Sequence, residues 1–192
     1  VRGPRRVGEK PLPYRHRGAW RCWRAEQIAH ACHVADALGV PRPISNQPPY
    51  SLLERDIEQE VIPVCEREGL SQIVWSPLAQ GVLTGKYSGG NRPAGSRGAD
   101  EQRNGFMGSY LTDDVLDRVD AMVDLAKDLD TTPARLALAW ALRDDNIASV
   151  IVGATKVEQV ADNVAAAELT LTDDVMERLD ELFPAPDELP AV

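Results

Sequence analysis

A short apolar run, Ile73-Val74-Trp75, is stopped by Ser76-Pro77, and this break limits the possible folds more than any other feature of the chain. β-Branched and aromatic residues suit a buried strand, whereas proline can neither donate to a sheet ladder nor continue a helix. A buried strand therefore ends there in a polar turn. Between Ser76 and Lys86 stand two glycines, one amide, two hydroxyls and a lysine. Such a loop can offer backbone N–H groups and one ammonium to an anion.

Around this strand, helical and extended patterns alternate. Ile28, Ala31, Cys32, Ala35 and Leu38 recur at three and four, which predicts an amphipathic helix over 24–38 with Gly39 as its stop. A short strand is expected over 43–47. A helix follows over 56–68, with Ile57, Val61, Val64 and Cys65 inward and Pro63 kinking or restarting it. Residues 86–110 are rich in Gly and Arg without a period and read as a long functional or disordered loop. Thr112, Asp113 and Asp114 form an N-cap and acidic first turn for a helix with Val115, Val119, Met122, Val123, Ala126 and Leu129 on one face. Thr132-Pro133 opens the next helix, which runs to about Arg143 and places Trp140 in the core. A strand over 150–152 follows, then a helix with a Thr155/Glu158 capping box, then a last helix capped by Thr172 and ending before Pro184. The tail, 184–192, reads as loose. Strands alternating with helices predict a parallel sheet with helices outside it. The pattern alone permits either an open doubly wound sheet or part of a barrel.

At 192 residues the chain has length for one cored domain, yet a complete (β/α)8 barrel takes about 250. The formal net charge of −9 argues against general binding to nucleic acid or an anionic membrane. That charge is uneven: the first 24 residues carry eight Arg or Lys against one Glu, a local +7, leaving −16 on the rest. Residues 1–23, with their prolines and no period, read as an irregular basic arm. No stretch approaches the roughly 18 apolar residues of a membrane span, and a cytoplasmic, soluble chain is expected. The three cysteines, Cys22, Cys32 and Cys65, lack C-x-x-C spacing, so buried thiols are expected rather than a disulfide framework or a zinc site.

The run WSPLAQGVLTGK at 75–86 resembles the segment after the seventh barrel strand of aldo-keto reductases, within the branch that includes potassium-channel β-subunits. Gln47-Pro48-Pro49-Tyr50 resembles the segment at that family's sixth strand. Ser149-Val150-Ile151-Val152-Gly153-Ala154-Thr155, with Gln159 and Asn163, resembles the eighth strand and the helix that grips the adenosine end of NADP. The matches span 24–183 and the C-terminal half of the family's chain. The resemblance thus implies an α/β fold: a partial TIM (β/α)8 barrel, about strands six to eight with their helices.

It also implies NADP(H) as cofactor and an aldehyde or ketone as the small-molecule substrate of the intact family. Gly153, Thr155, Gln159 and Asn163 match contacts to the adenosine 2′-phosphate and adenine, and Lys156 adds a charge suited to that phosphate. On spacing alone these residues are a capped helix with polar surface positions. Trp75, Ser76, Pro77, Leu78 and Gln80 match the pyrophosphate and nicotinamide wall, with Gln47 an amide that orients the carboxamide. Read structurally, Trp75 is a strand-end core residue and Gln47 an amide satisfied by backbone. Lys86 and Arg97 match basic positions on the loop folding over the cofactor, and plain solvated charge is their alternative.

The family's catalytic aspartate, tyrosine, lysine and histidine come from its first four strands, and none is matched here. Tyr50, Tyr87 and Tyr110 are not expected to replace the acid, and His30 and His33 read as surface or interface residues of the first helix. Trp20-Arg21-Cys22-Trp23 stands where the family has a Gly-x-Ser-x-Trp type turn, as a start read in the wrong frame ahead of about Trp23 would produce. The reading is an NADP(H)-binding portion without its tetrad. A non-catalytic nucleotide-binding or regulatory subunit and an inactive gene remnant are the alternatives. Three parallel strands leave open edges, so self-association or pairing with an N-terminal half barrel is expected.

Overall fold

The computed structural model describes residues 23–99 and 107–186; the expectations for the basic arm before Trp23 and for the tail beyond Pro186 lie outside the described residues. The described chain is α/β. Three parallel strands, β1 (Ser45–Asn46), β2 (Ser71–Trp75) and β3 (Ile147–Ile151), lie side by side in the order β1-β2-β3. Helices α1 (Ala25–Leu38) and α2 (Val61–Glu68) precede β2, α3 (Asp113–Asp128) and α4 (Pro133–Ala141) separate it from β3, and α5 (Val157–Ala165) and α6 (Asp173–Leu182) follow.

Local chemistry sets most boundaries as expected. Gly39 ends α1 at φ 62°, a left-handed conformation that glycine adopts without a Cβ penalty. Thr112 and Thr132 accept hydrogen bonds from the N–H of Val115 and Arg135, capping α3 and α4. The helix expected over 56–68 is two pieces, a 3-10 turn at Asp56–Glu58 and then α2. Pro63 lies in the first turn of α2, where its missing N–H leaves no bond unmade. Ile62 and Cys65 are buried there; Val61 and Val64, expected inward, are half-buried. Leu129, expected on the inner face of α3, is its C-cap and is exposed.

The strands differ more. β3 begins three residues before the expected 150–152, because Gln72 and Asn146 fix its start from the side. Gln72 donates through its backbone N–H to the Asn146 carbonyl (2.8 Å) and through its amide to Asn146 Oδ1 (3.0 Å). β1 keeps only two of the residues 43–47.

In β2 the side chains alternate, with Gln72 and Val74 buried and Ile73 and Trp75 half-exposed on the other face. The buried face packs on α3, α4 and α6 through Val74, Val119, Met122, Leu136, Trp140 and Leu179. Each fully buried side chain of this kind contributes about 1.5–3 kcal/mol. A second, smaller cluster, Ile28, Cys32, Cys65 and Leu70, joins α1 to α2. Both of these cysteines are free and buried, and burial pushes their thiols above the ordinary range. The described parts of the expected loop, 86–99 and 107–110, hold 3-10 turns at Ser88–Gly90, Arg97–Ala99 and Gly108–Tyr110. Buried Tyr87, at the start of the first turn, ties the second to it, its hydroxyl accepting from the Gly98 N–H (3.0 Å).

Candidate functional site

In a parallel sheet all carboxyl ends fall on one edge, and ligands of such sheets bind beyond it. Here Trp75 pairs with Ile151, and an isolated bridge joins Pro49 to Trp75. The segments starting at Gln47, Ser76 and Val152 therefore leave the sheet from adjacent positions. That edge gathers residues distant in sequence.

Trp75 is half-buried on the face with less cover, and its indole N–H donates to the Gln47 carbonyl (3.1 Å). The indole is thereby fixed across the β1 and β2 ends. The turn after it is strained: Ser76 (φ 57°), Ala79 (φ 45°) and Gln80 (φ 58°) all occupy the left-handed region, followed by Gly81 (φ 94°). Non-glycine residues held there cost of order 1 kcal/mol each and concentrate at ligand sites. The turn is held by Gln80 Nε2 donating to Ser76 Oγ (2.5 Å) and by Ala79 N–H donating to the Ser76 carbonyl (2.8 Å). Pro77 is buried and Leu78 packs against the main core, so these two support the turn from beneath. Lys86 folds back over the turn; a Cβ on Gly81 would come 2.8 Å from Lys86 Cε. Its ammonium lies 5.1 Å from the centre of the Tyr87 ring. Arg97 opens its 3-10 turn, and the role expected of its side chain lies outside what the structure describes.

From β3 the chain passes through Gly153 to α5, and residues 153–160 are all exposed. Among the described residues nothing beyond its chain neighbours lies within 4 Å of where a Cβ on Gly153 would stand, and its φ is not in the left-handed region. Space in front of that backbone is thus open to a ligand. Gln159 Oε1 accepts from the N–H of Thr155 (2.8 Å), the N–H of Lys156 (3.2 Å) and the Thr155 hydroxyl (3.2 Å). This replaces the expected Thr155/Glu158 capping box. The N-cap is Lys156, whose ammonium has donors only and cannot return a bond, so the cap is one-sided. No carboxylate lies within ion-pair distance of Lys86 or Lys156 among the described residues. Asn163 lines a groove between α5 and β3, apart from the Thr155–Gln159 pair.

Behind the sheet stands a polar cluster that sequence reasoning missed. Arg143 donates to the Tyr50 hydroxyl (2.6 Å) and to Glu58 Oε1 (2.9 Å), and its guanidinium lies 3.8 Å from the Trp140 ring centre. The Tyr50 hydroxyl also donates to Glu58 Oε1 (2.7 Å), and Arg55 bridges Glu58 Oε2 (2.8 Å), Asp180 (2.7 Å) and the Phe183 carbonyl (2.6 Å). Burial acts to raise the Glu58 carboxyl, but the bonds from Arg55, Tyr50 and Arg143 outweigh it and hold it below the ordinary range. Burial raises Tyr50 and Tyr110 well above the usual phenol range. With Tyr110 donating to Glu54 (2.8 Å) and Tyr87 held by Gly98, each of the three expected bystander tyrosines is engaged. His30 and His33 are exposed, as expected. Among the described residues no cluster of His, Cys, Asp and Glu has the makings of a metal site, and no helix is long and apolar enough to cross a membrane.

The model of the aldo/keto reductase family matches residues 21–183. The chain belongs to the aldo/keto reductase family. A probable voltage-gated potassium channel subunit beta of Oryza sativa subsp. japonica is 41% identical over 161 residues, covering 82% of this chain and 49% of its own. Protein tas of Escherichia coli is 35% identical over 159 residues, covering 80% and 45%. An uncharacterized oxidoreductase, YrpG of Bacillus subtilis, is 36% identical over 143 residues, covering 74% and 41%. The chain thus spans about half the length of these aldo/keto reductase relatives.

Proposed function

We propose that this chain is the NADP(H)-binding, C-terminal half of an aldo-keto reductase barrel, a partial TIM (β/α)8 barrel that contributes three of the eight strands and no catalytic tetrad. The observation that carries the reading is the Trp75–Ile151 pairing, which sets the 75–80 turn beside the 152–163 segment. Bound NADPH supplies a hydride to the carbonyl carbon of an aldehyde or ketone. The residues of this chain bind and orient. Lys156, exposed and without a carboxylate partner among the described residues, suits the 2′-phosphate, and the start of α5 offers its free N–H groups. Glu158 in the same turn opposes an anion, which makes the Lys156 charge matter more. With its carbonyl used in the cap, Gln159 has its amide NH2 for a purine edge, and Asn163 lies one turn further along the helix.

Trp75, braced against Gln47, forms a flat wall beside the Ser76–Gln80 turn, while Lys86 and Arg97 belong to the loop that covers the cofactor. The engaged hydroxyls of Tyr50, Tyr87 and Tyr110 support the reading that proton transfer comes from elsewhere. A regulatory, non-catalytic role is a second reading, favoured by the potassium-channel subunit names of the relatives from rice, Arabidopsis thaliana and Schizosaccharomyces pombe. Fluorescence titration with NADP tests the site itself. Lys156→Ala is expected to weaken binding about fivefold, the upper range for one exposed ion pair, with a smaller loss at high salt. Unchanged affinity in Lys156→Ala at low salt overturns the assignment of the 2′-phosphate site.

A further inference from the structure

Trp75 is tied to the segment that follows β1 by three hydrogen bonds. Its backbone N–H donates to the Pro48 carbonyl (3.1 Å), its carbonyl accepts from the Tyr50 N–H (3.2 Å), and its indole N–H donates to the Gln47 carbonyl (3.1 Å). The sequence spanning these contacts, Gln47-Pro48-Pro49-Tyr50, is stiff. Each proline ring fixes its own φ, and each holds the residue before it in an extended conformation. The bonds to Trp75 use only carbonyls and the Tyr50 N–H of this segment, so neither proline costs one.

Tyr50 anchors the far end of this strut. Its ring is fully buried and stacks on Trp140 of α4, with centroids 5.1 Å apart and planes 29° from parallel. Its hydroxyl donates to Glu58 Oε1 (2.7 Å) and accepts from Arg143 (2.6 Å), just past the C-cap of α4. The phenol therefore cannot shift without breaking a charge-assisted bond. A movement at Tyr50 would pass through two fixed φ angles to Gln47, whose carbonyl sets where the indole can lie.

We propose that Tyr50 is a positioning residue for the nicotinamide end of the candidate site: clamped behind the sheet by Glu58 and Arg143, it fixes, through the Pro48-Pro49 strut, the tilt of the Trp75 indole at the sheet edge. The proposal rests on the reading of Trp75 as the wall of an NADP(H) site. A wall held at one tilt beforehand needs no ordering when a flat ring stacks on it. The buried cluster thus has a task at the site besides stability, and Tyr50 performs it through Trp75 without taking part in proton transfer.

The test is hydrogen exchange of the Trp75 indole N–H in the full chain, followed by NMR, with the resonance identified by its loss in Trp75→Phe. Tyr50→Phe deletes the hydroxyl and keeps the ring on Trp140. Indole exchange is expected to rise about fivefold, the worth of one net buried hydrogen bond, while backbone exchange in α3 changes less than about twofold. Pro49→Ala leaves all three bonds to Trp75 possible but loosens the strut, and combined with Tyr50→Phe it should give less than the product of the separate effects. Tyr110→Phe removes a hydroxyl bond of the same kind (2.8 Å to Glu54) that has no strut behind it, and should leave Trp75 unmoved. Affinity for 2′,5′-ADP should be the same in the native and Tyr50→Phe chains, because the adenosine end is assigned to 153–163. Unchanged indole exchange in Tyr50→Phe, an equal rise in Tyr110→Phe, or a rise matched throughout α3 overturns the assignment of Tyr50. Failure of the native chain to bind 2′,5′-ADP overturns instead the nucleotide reading on which it rests, whatever Trp75 does.

Discussion

Replacing Arg143 by leucine should cost about 2–4 kcal/mol of folding stability. The guanidinium makes charge-assisted bonds to the Tyr50 hydroxyl (2.6 Å) and Glu58 (2.9 Å), each of a kind worth about 1.5–3 kcal/mol net. Its stacking 3.8 Å from the Trp140 ring centre adds about 0.5–2 kcal/mol. Two facts reduce the sum. The side chains of Arg143 and Glu58 are 22% and 19% exposed, so water screens the pair in part, and Arg55 still holds Glu58 through two nitrogens. Leucine also keeps part of the packing on Trp140. For a chain of this size each kcal/mol moves the midpoint by about 2–4 °C, so a fall of about 4–16 °C is expected. Urea unfolding at constant pH is the assay, combined with Glu58→Gln in a double-mutant cycle that should show a coupling of about 1–2 kcal/mol. The exposed Arg118–Asp114 pair supplies the contrast, since Arg118→Leu should cost under about 1 kcal/mol. A loss below 1 kcal/mol for Arg143→Leu, or strict additivity with Glu58→Gln, refutes the view that this cluster ties the 50–58 segment to the end of α4.

Two further outcomes follow from the same structure. Because the folded-state pKa of Glu58 lies below its unfolded value, its contribution is present above the unfolded carboxyl pKa, about 4.3, and is lost as pH falls through the folded one; urea midpoints between pH 7 and pH 3 should therefore drop more in the native chain than in Glu58→Gln, and parallel curves contradict this. The chain by itself should show no NADPH oxidation with a panel of aromatic and aliphatic aldehydes, since the reading gives it no general acid and positioned proton transfer is worth about 10²–10⁴ in rate; turnover like that of a full-length family member contradicts that reading.

What could be read from the sequence was whatever local chemistry decides. Thr112 and Thr132 announced their helices because a hydroxyl at the N-cap satisfies a specific N–H, and Ser76-Pro77 marked the end of β2 because proline cannot stay in a ladder. Gly39 and Pro63 acted where their backbone properties require. Position in the sheet was less legible. β3 starts at Ile147, before its apolar run, because Gln72 and Asn146 bind each other across 74 residues, and no periodicity registers such a pair. Arg143 lies 93 residues from Tyr50 and 85 from Glu58, beyond the reach of any spacing argument.

At the candidate site the strand end and the polar loop are legible in the sequence, and Gly81 and Gly85 are left-handed as glycine permits, but the left-handed Ser76, Ala79 and Gln80 are not, since no residue type there signals a positive φ. Gln159 was foreseen as a ligand contact, and the structure has its carbonyl capping its own helix. Glu158 had the spacing for a box with Thr155, but the helix starts one residue later than that box requires.

The central claim is that the adenosine end of NADP is held by the 153–163 segment without the rest of a barrel. Calorimetric titration of the chain with 2′,5′-ADP and with NADP under identical salt tests it most directly. Equal affinities within about twofold, with no binding of 5′-ADP at the same concentrations, are predicted. NADP binding at least tenfold tighter than 2′,5′-ADP, about 1.4 kcal/mol of added contact from the nicotinamide side, or no binding of 2′,5′-ADP at all, would contradict it.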